Sequence, residues 1–222
     1  MKVFDVKLKT IQEVLGTNPG DKEVYDSFIA SKAPTAASIE EEIAAYGVDS
    51  VAEKGKTIFL KDEEGHPYIY SYMIRGFLKS AAGACKAATG SKTNKAKLTA
   101  HKKKIDLGVF IPNAQRRLYW CNPDGSLVST DQIGDCQRPL RADTAQGPRV
   151  SLANSETIPA GSTLSFRLYV VDDNLEELVE EWLRYGCLNG LGQWRNSGKG
   201  SFIVEELSVE DREFGDFYPG DF

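Results

Sequence analysis

Polar and apolar positions alternate at the start of this chain. Val3, Val6 and Leu8 stand among polar neighbours from Lys2 to Lys9, which predicts a strand with an irregularity near Phe4 and Asp5. Thr17-Asn-Pro-Gly20 breaks the pattern. From Asp21 to Ser31 the period becomes helical, through Val24, Phe28 and Ile29, and Ser38 opens a second helix, Ile39 to Tyr46, with Glu41 completing a Ser-x-x-Glu capping box. Thr57 to Lys61 reads as a short strand, Asp62-Glu-Glu-Gly65 as a turn and His66 to Tyr70 as the returning strand. Ile74, Phe77, Leu78, Ala81 and Ala82 then form the apolar stripe of a helix from Ser71 to Ala88, with Arg75, Lys79 and Lys86 toward its other side. Thr89 to Lys97 is polar and predicts a mobile loop, and Leu98 to Lys104 a short helical piece.

Short strands are expected at Val109 to Pro112, Leu118 to Cys121 and Leu127 to Ser129, around an Asn122-Pro-Asp-Gly125 turn, and another at Arg149 to Leu152. Leu164, Phe166, Leu168 and Val170 alternate along a half-buried strand, Thr163 to Val171. Leu178, Val179, Trp182 and Leu183 mark an amphipathic helix, Leu175 to Tyr185, capped by Asp173 or Asn174, and a last strand covers Ser201 to Leu207. Without the insertions the order is strand, helix, strands, strand, helix, strand. This predicts an α+β, ferredoxin-like (RRM-like) antiparallel sheet with two core helices and one face free for a ligand. The expected organisation is one domain over 1–209, with helical and β insertions at about 17–56 and 89–147, followed by an acidic, aromatic tail at 210–222.

Composition narrows the setting. With 41% hydrophobic and 27% charged residues, the chain has the balance of an ordinary globular protein. No apolar run approaches the roughly 18 residues of a membrane span. The charged N-terminus lacks an export signal, so the expected location is cytoplasmic. Cys85, Cys121, Cys136 and Cys187 form no Cys-x-x-Cys pair, and only two histidines accompany them, so no metal is expected. Walker-type, dinucleotide-binding and nucleophile-elbow patterns are also missing, so no cofactor is expected.

The net charge of -5 hides a segregation. From Arg75 to Arg117 eleven Lys or Arg face one acid, Asp106, so this segment carries ten net positive charges and the rest of the chain fifteen net negative. A basic region on an acidic protein points to a polyanion held on one face. A second feature is the stretch from Gly186 to Gly200, where Gly186, Gly190, Gly192, Gly198 and Gly200 are interleaved with Trp194, Arg195, Asn196, Ser197 and Lys199. Glycines permit close backbone approach and exposed N–H groups that cradle a phosphate, while the other residues supply charge and a flat ring.

Four segments, in order, carry a family likeness. Gly65-His-Pro-Tyr-Ile-Tyr-Ser-Tyr-Met-Ile-Arg-Gly-Phe-Leu-Lys79 is similar to a G-x-P-Y-I-P-x-S-x-x-K-G-x-x-R entry to a first core helix. Tyr70 replaces its second proline, Arg75 its lysine and Lys79 its arginine. Arg149 to Phe166, with Ser155-Glu-Thr-Ile-Pro-Ala-Gly161, is similar to a strand, turn and strand before a second helix. Asn189-Gly-Leu-Gly192 through Gly198-Lys-Gly200 is similar to a glycine-rich loop, and Met1 to Gly20 to an opening strand and Thr-x-x-G turn. Together they resemble the RAMP superfamily of CRISPR-associated RNA-binding proteins, especially the repeating backbone subunits of multisubunit effector complexes.

The resemblance implies a non-catalytic subunit of an antiviral ribonucleoprotein complex, holding a guide-like single-stranded RNA along its sheet and helix ends, with further copies of itself and other effector subunits as partners. Arg75 and Lys79 would contact phosphates. Arg195, Asn196, Ser197 and Lys199 would contact phosphate or sugar, from a loop shaped by Gly190, Gly192, Gly198 and Gly200. Lys102, Lys103 and Lys104 would extend the electrostatic path, and Trp194 would stack on a base or a neighbouring subunit. Trp194 as core filling and the basic residues as a solvated face are the plain alternatives. Two other functions stay open. One is an RNA-processing nuclease, with His101 as candidate base among neighbouring lysines, or Asp106 or Asp131 assisting. The other is an interaction or inhibitory protein of mobile-element origin, whose acidic end, Glu205, Glu206, Glu210, Asp211, Glu213, Asp216 and Asp221, occupies a partner's nucleic-acid groove.

Overall fold

The opening alternation buries Phe4, Val6 and Leu8 on one side of a nine-residue strand and turns Asp5, Lys7 and Lys9 to the other. The computed structural model describes residues 1–20, 56–144 and 147–221, and the helices expected at 21–31 and 39–46 lie outside them. The strands are β1 (Lys2–Thr10), β2 (Val14–Leu15), β3 (Asn18–Pro19), β4 (Lys56–Ile58), β5 (Leu60–Lys61), β6 (Pro67–Tyr70), β7 (Val109–Phe110), β8 (Arg117–Tyr119), β9 (Gly134–Thr144), β10 (Gly147–Ile158), β11 (Thr163–Val170) and β12 (Phe202–Asp211). The helices are α1 (Tyr72–Ala87), α2 (Lys92–Lys95), α3 (His101–Gly108) and α4 (Asp173–Arg184).

The central sheet has the order β12-β1-β11-β7, and every neighbouring pair is antiparallel. With α1 before β7 and α4 before β12, this is the β-α-β-β-α-β arrangement. Its inner face meets Ile74, Phe77, Leu78, Ala81, Ala82 and Cys85 of α1 and Leu175, Leu178, Val179, Trp182 and Leu183 of α4. Burying the larger of these side chains, such as Ile74, Phe77, Leu78, Leu175 and Leu178, is worth about 1.5–3 kcal/mol each, so these two stripes fix the helices to the sheet.

Several boundaries differ from expectation for identifiable reasons. The irregularity in β1 lies at Lys7/Leu8, where Lys7 pairs with Glu206 and Leu8 with Val204, leaving Glu205 as the extra residue. The strand expected at Thr57 to Lys61 is divided between two sheets. The Glu156 carboxylate accepts a hydrogen bond from the Phe59 amide (2.9 Å) and from Lys61 Nζ (2.8 Å), pulling the chain out of β4 and into β5. β4, β3 and β2 join β10 in a second sheet, whereas β5, β6 and β8 form a third. The short strand expected at Arg149 is part of the long hairpin β9–β10, paired from Gly134↔Thr157 to Thr144↔Gly147.

The loop expected at Thr89 to Lys97 contains α2, and α4 pins it in place. Glu181 accepts from the amides of Lys92 (2.6 Å) and Thr93 (3.0 Å) and from Thr93 Oγ1 (2.6 Å), which itself accepts from Trp182 Nε1 (2.8 Å). Burial opposes the charge on Glu181, but these donors outweigh it and hold the carboxyl below its ordinary pKa.

Candidate nucleic-acid interface

The outer face of the central sheet is not left open. Lys7 pairs with Glu205 (3.2 Å) and Glu206 (2.9 Å), and Lys9 with Glu205 (3.1 Å). Arg167 bonds Asp5 (2.8 Å). The segment after β12 then folds back over Tyr169. Asp221, 7% exposed, accepts from Tyr169 Oη (2.6 Å) and Arg167 Nη1 (3.2 Å), and the Tyr218 ring lies between the guanidiniums of Arg167 (3.8 Å) and Arg212 (3.7 Å). The part of the expected free sheet face around Tyr169 is therefore covered by the chain's own acidic, aromatic end, while Lys7 and Lys9 stay partly exposed beside Glu205 and Glu206. β12 also runs two residues past the expected start of that tail.

The basic residues gather on the helical side. α3 packs along α1, its Ile105 buried and its His101 ring against Gly83. Lys79 Nζ lies 2.6 Å from Asp106 Oδ1, and Arg75 Nη2 donates to the same oxygen (3.1 Å) and to the Asp106 carbonyl (3.0 Å). The Arg75 guanidinium also sits 6.0 Å from the Phe110 ring centre. Asp106 thus orients two cations while cancelling one. Lys102 and Lys103 are exposed and Lys104 half-buried on the same short helix, Lys102 one turn from Asp106. Burial, followed by the charges of Lys86 and Lys102, lowers the His101 pKa and favours the neutral imidazole.

The glycine-rich loop is built against β2 and β9. Leu191 N donates to the Gly200 carbonyl (2.9 Å) and Gly200 N to the Glu13 carbonyl (2.8 Å), so the two ends of the loop cross at Gly190 and Gly200 with no room for a side chain. Gly192 meets Leu15 of β2, and only Gly198 faces open space. Lys199 forms an ion pair with Glu13. Trp194 adopts φ 55°, a conformation that costs a non-glycine residue about 1–2 kcal/mol. Its carbonyl accepts from Ser197 N (3.0 Å) and Ser197 Oγ (2.8 Å).

Arg138 supports this loop from below, a role that sequence reasoning missed. It is 6% exposed, donates to Ser155 Oγ (2.9 Å) and Gln193 Oε1 (2.7 Å), and lies 5.6 Å from the Trp194 ring centre. Trp194 remains 38% exposed, so it is not core filling. With exposed Arg195 and Asn196 it lines an open cleft of about 670 Å³ that also includes Asn189 and Gln193. The structure therefore gathers Arg75 and Lys79 around Asp106 of the helix that carries Lys102 to Lys104, and separately groups Trp194, Arg195 and Asn196.

One group of potential metal ligands occurs among the described residues, Asp62, Glu64 and His66. Asp62 Oδ1 accepts from the amides of Glu64 (3.1 Å) and His66 (2.7 Å), a use that closes the β5–β6 turn. No helix among the described residues is long and apolar enough to cross a membrane.

No protein family matches the sequence, and no curated protein does. Among solved structures, the chain is similar to one chain of the cryo-EM structure of the Type III-B Cmr-beta bound to cognate target RNA, with 12% sequence identity and a TM-score of 0.47. The similarity covers 94% of this chain and 60% of that one, so this chain spans less than two thirds of the neighbour's length.

Proposed function

We propose that this chain is a non-catalytic RNA-binding subunit of a CRISPR-type ribonucleoprotein complex, holding a guide RNA across α1, α3 and the glycine-rich loop and associating with other subunits, including copies of itself. The observation that carries this reading is the pairing of Arg75 and Lys79 of α1 with Asp106 of α3, the short helix that also carries Lys102, Lys103 and Lys104. Phosphates compete with Asp106 for Arg75 and Lys79, which are already held in position, while the lysines of α3 add sequence-independent attraction. Arg195 and Asn196 meet the sugar-phosphate chain at the loop, and the exposed face of Trp194 receives a base.

The test is the nucleic acid carried by the purified protein, compared with a variant bearing Arg75→Glu, Lys79→Glu and Arg195→Glu. The expected result is RNA of defined length on the original protein and its loss from a variant that still unfolds cooperatively. Nucleic-acid-free protein that also fails to bind added single-stranded RNA at low salt would overturn the reading.

A further inference from the structure

Next to the start of α1 lies a cluster that the function above does not use. β6 and β8 pair Tyr68 with Tyr119 and Tyr70 with Arg117. Tyr68 and Tyr70 are buried, edge to face with centres 5.4 Å apart, and Tyr72 stacks on Tyr70 at 5.8 Å and 14°. Each buried ring carries a guanidinium, Arg116 at 5.6 Å from the centre of Tyr70 and Arg117 at 5.1 Å from that of Tyr68. The backbone is fixed as well, since Ser71 N donates to the Arg116 carbonyl (2.9 Å). These two arginines, with Asn113, Ala114 and Tyr119, line an open cleft of about 720 Å³.

We infer that this cleft binds one nucleotide of a single-stranded RNA, the base stacking on one guanidinium plane and a phosphate bonding the other guanidinium. The volume lies within the range of small-ligand sites. A guanidinium beside an aromatic ring is a planar cation, a surface on which unpaired RNA bases stack. It also offers a donor fork matched to phosphate, which an ammonium cannot reproduce. Asn113 adds an amide that can donate to and accept from a base edge. The cleft lies by the start of α1, whose first residue, Tyr72, stacks on the Tyr70 ring that Arg116 approaches. It deepens the RNA-binding reading and rests on it: the α1–α3 face holds phosphates, and this cleft takes a base.

The experiment compares the binding of a labelled hexaadenylate RNA with that of an abasic strand of the same length and charge, on the full chain. The original protein is expected to prefer the base-bearing strand by roughly fivefold or more, the lower end of what stacking one base is worth. The variants are made on a Trp194→Ala background, which removes the base contact of the glycine-rich loop: there the preference is expected to vanish with Arg116→Lys, Arg117→Lys, which keeps both charges, and to persist with Lys7→Gln, thermal unfolding confirming that each variant is folded. Equal binding of the two strands by the Trp194→Ala protein, or a preference there that survives the lysine pair, overturns this inference while leaving RNA binding intact. Binding of neither strand at low salt overturns both.

Discussion

Alanine at position 190 is expected to cost about 3 kcal/mol of folding stability, the upper end of what overpacking does. A methyl group there falls on the Gly200 carbonyl. That carbonyl cannot move freely, because it accepts from Leu191 N while its own residue's N–H donates to Glu13. The loop would have to separate from β2, and the cleft around Trp194 would open with it. Gly198→Ala is the control. It sits at φ +87° but faces open space, so it carries only the conformational cost of about 1–2 kcal/mol. Urea unfolding of both variants checks the difference through their midpoints. Equal losses would show that the crossing of Gly190 and Gly200 does not hold the loop.

The second large effect is on binding. Replacing Lys102, Lys103 and Lys104 together by glutamate is expected to lower affinity for single-stranded RNA at least tenfold at low salt. It should also flatten the dependence of log K on log salt by about two, since each phosphate contact on a single strand contributes roughly 0.7. Lys7→Gln with Lys9→Gln removes the same kind of charge from the outer sheet face, where Glu205 and Glu206 already pair with it. That variant is expected to change affinity less than twofold. Salt titrations of fluorescence anisotropy separate the two outcomes. Equal effects of the two substitutions would mean that the α3 lysines form no specific path.

Much of the frame could be read from local patterns, because those patterns are what the core consumes. The stripe from Ile74 to Ala82 and the stripe from Leu178 to Leu183 both lie against the sheet, and the alternation in β1 and β11 matches their inner and outer sides. The hairpin β9–β10 could not be read in the same way. Cys136-Gln-Arg-Pro-Leu-Arg141 has no apolar alternation, and these strands are defined mainly by their pairing with each other. A strand that relies on its partner leaves little signal in its own residues.

The candidate site shows a similar division. The basic segment was visible as composition, but the pairing of Arg75 and Lys79 with Asp106 depends on α3 packing along α1. The pairing of Lys199 with Glu13 spans nearly the whole chain. The glycines suggested a phosphate cradle, whereas Gly190 and Gly200 serve a backbone crossing. Arg138 had no local mark at all. Its role follows from burial beneath Gln193 and Trp194, residues that approach it only in the folded chain. The acidic, aromatic end reads only as a tail, because nothing nearby in sequence predicts that Tyr218 will sit between Arg167 and Arg212.

The measurement that tests the central claim most directly is photo-crosslinking of bound single-stranded RNA to the intact protein, with the modified peptides identified by mass spectrometry. The account predicts crosslinks in the peptides containing Arg75 to Lys79, Lys102 to Lys104 and Trp194 to Asn196. Crosslinks confined to β1, β11 and β12 on the outer sheet face, with none on α1, α3 or the glycine-rich loop, would contradict it.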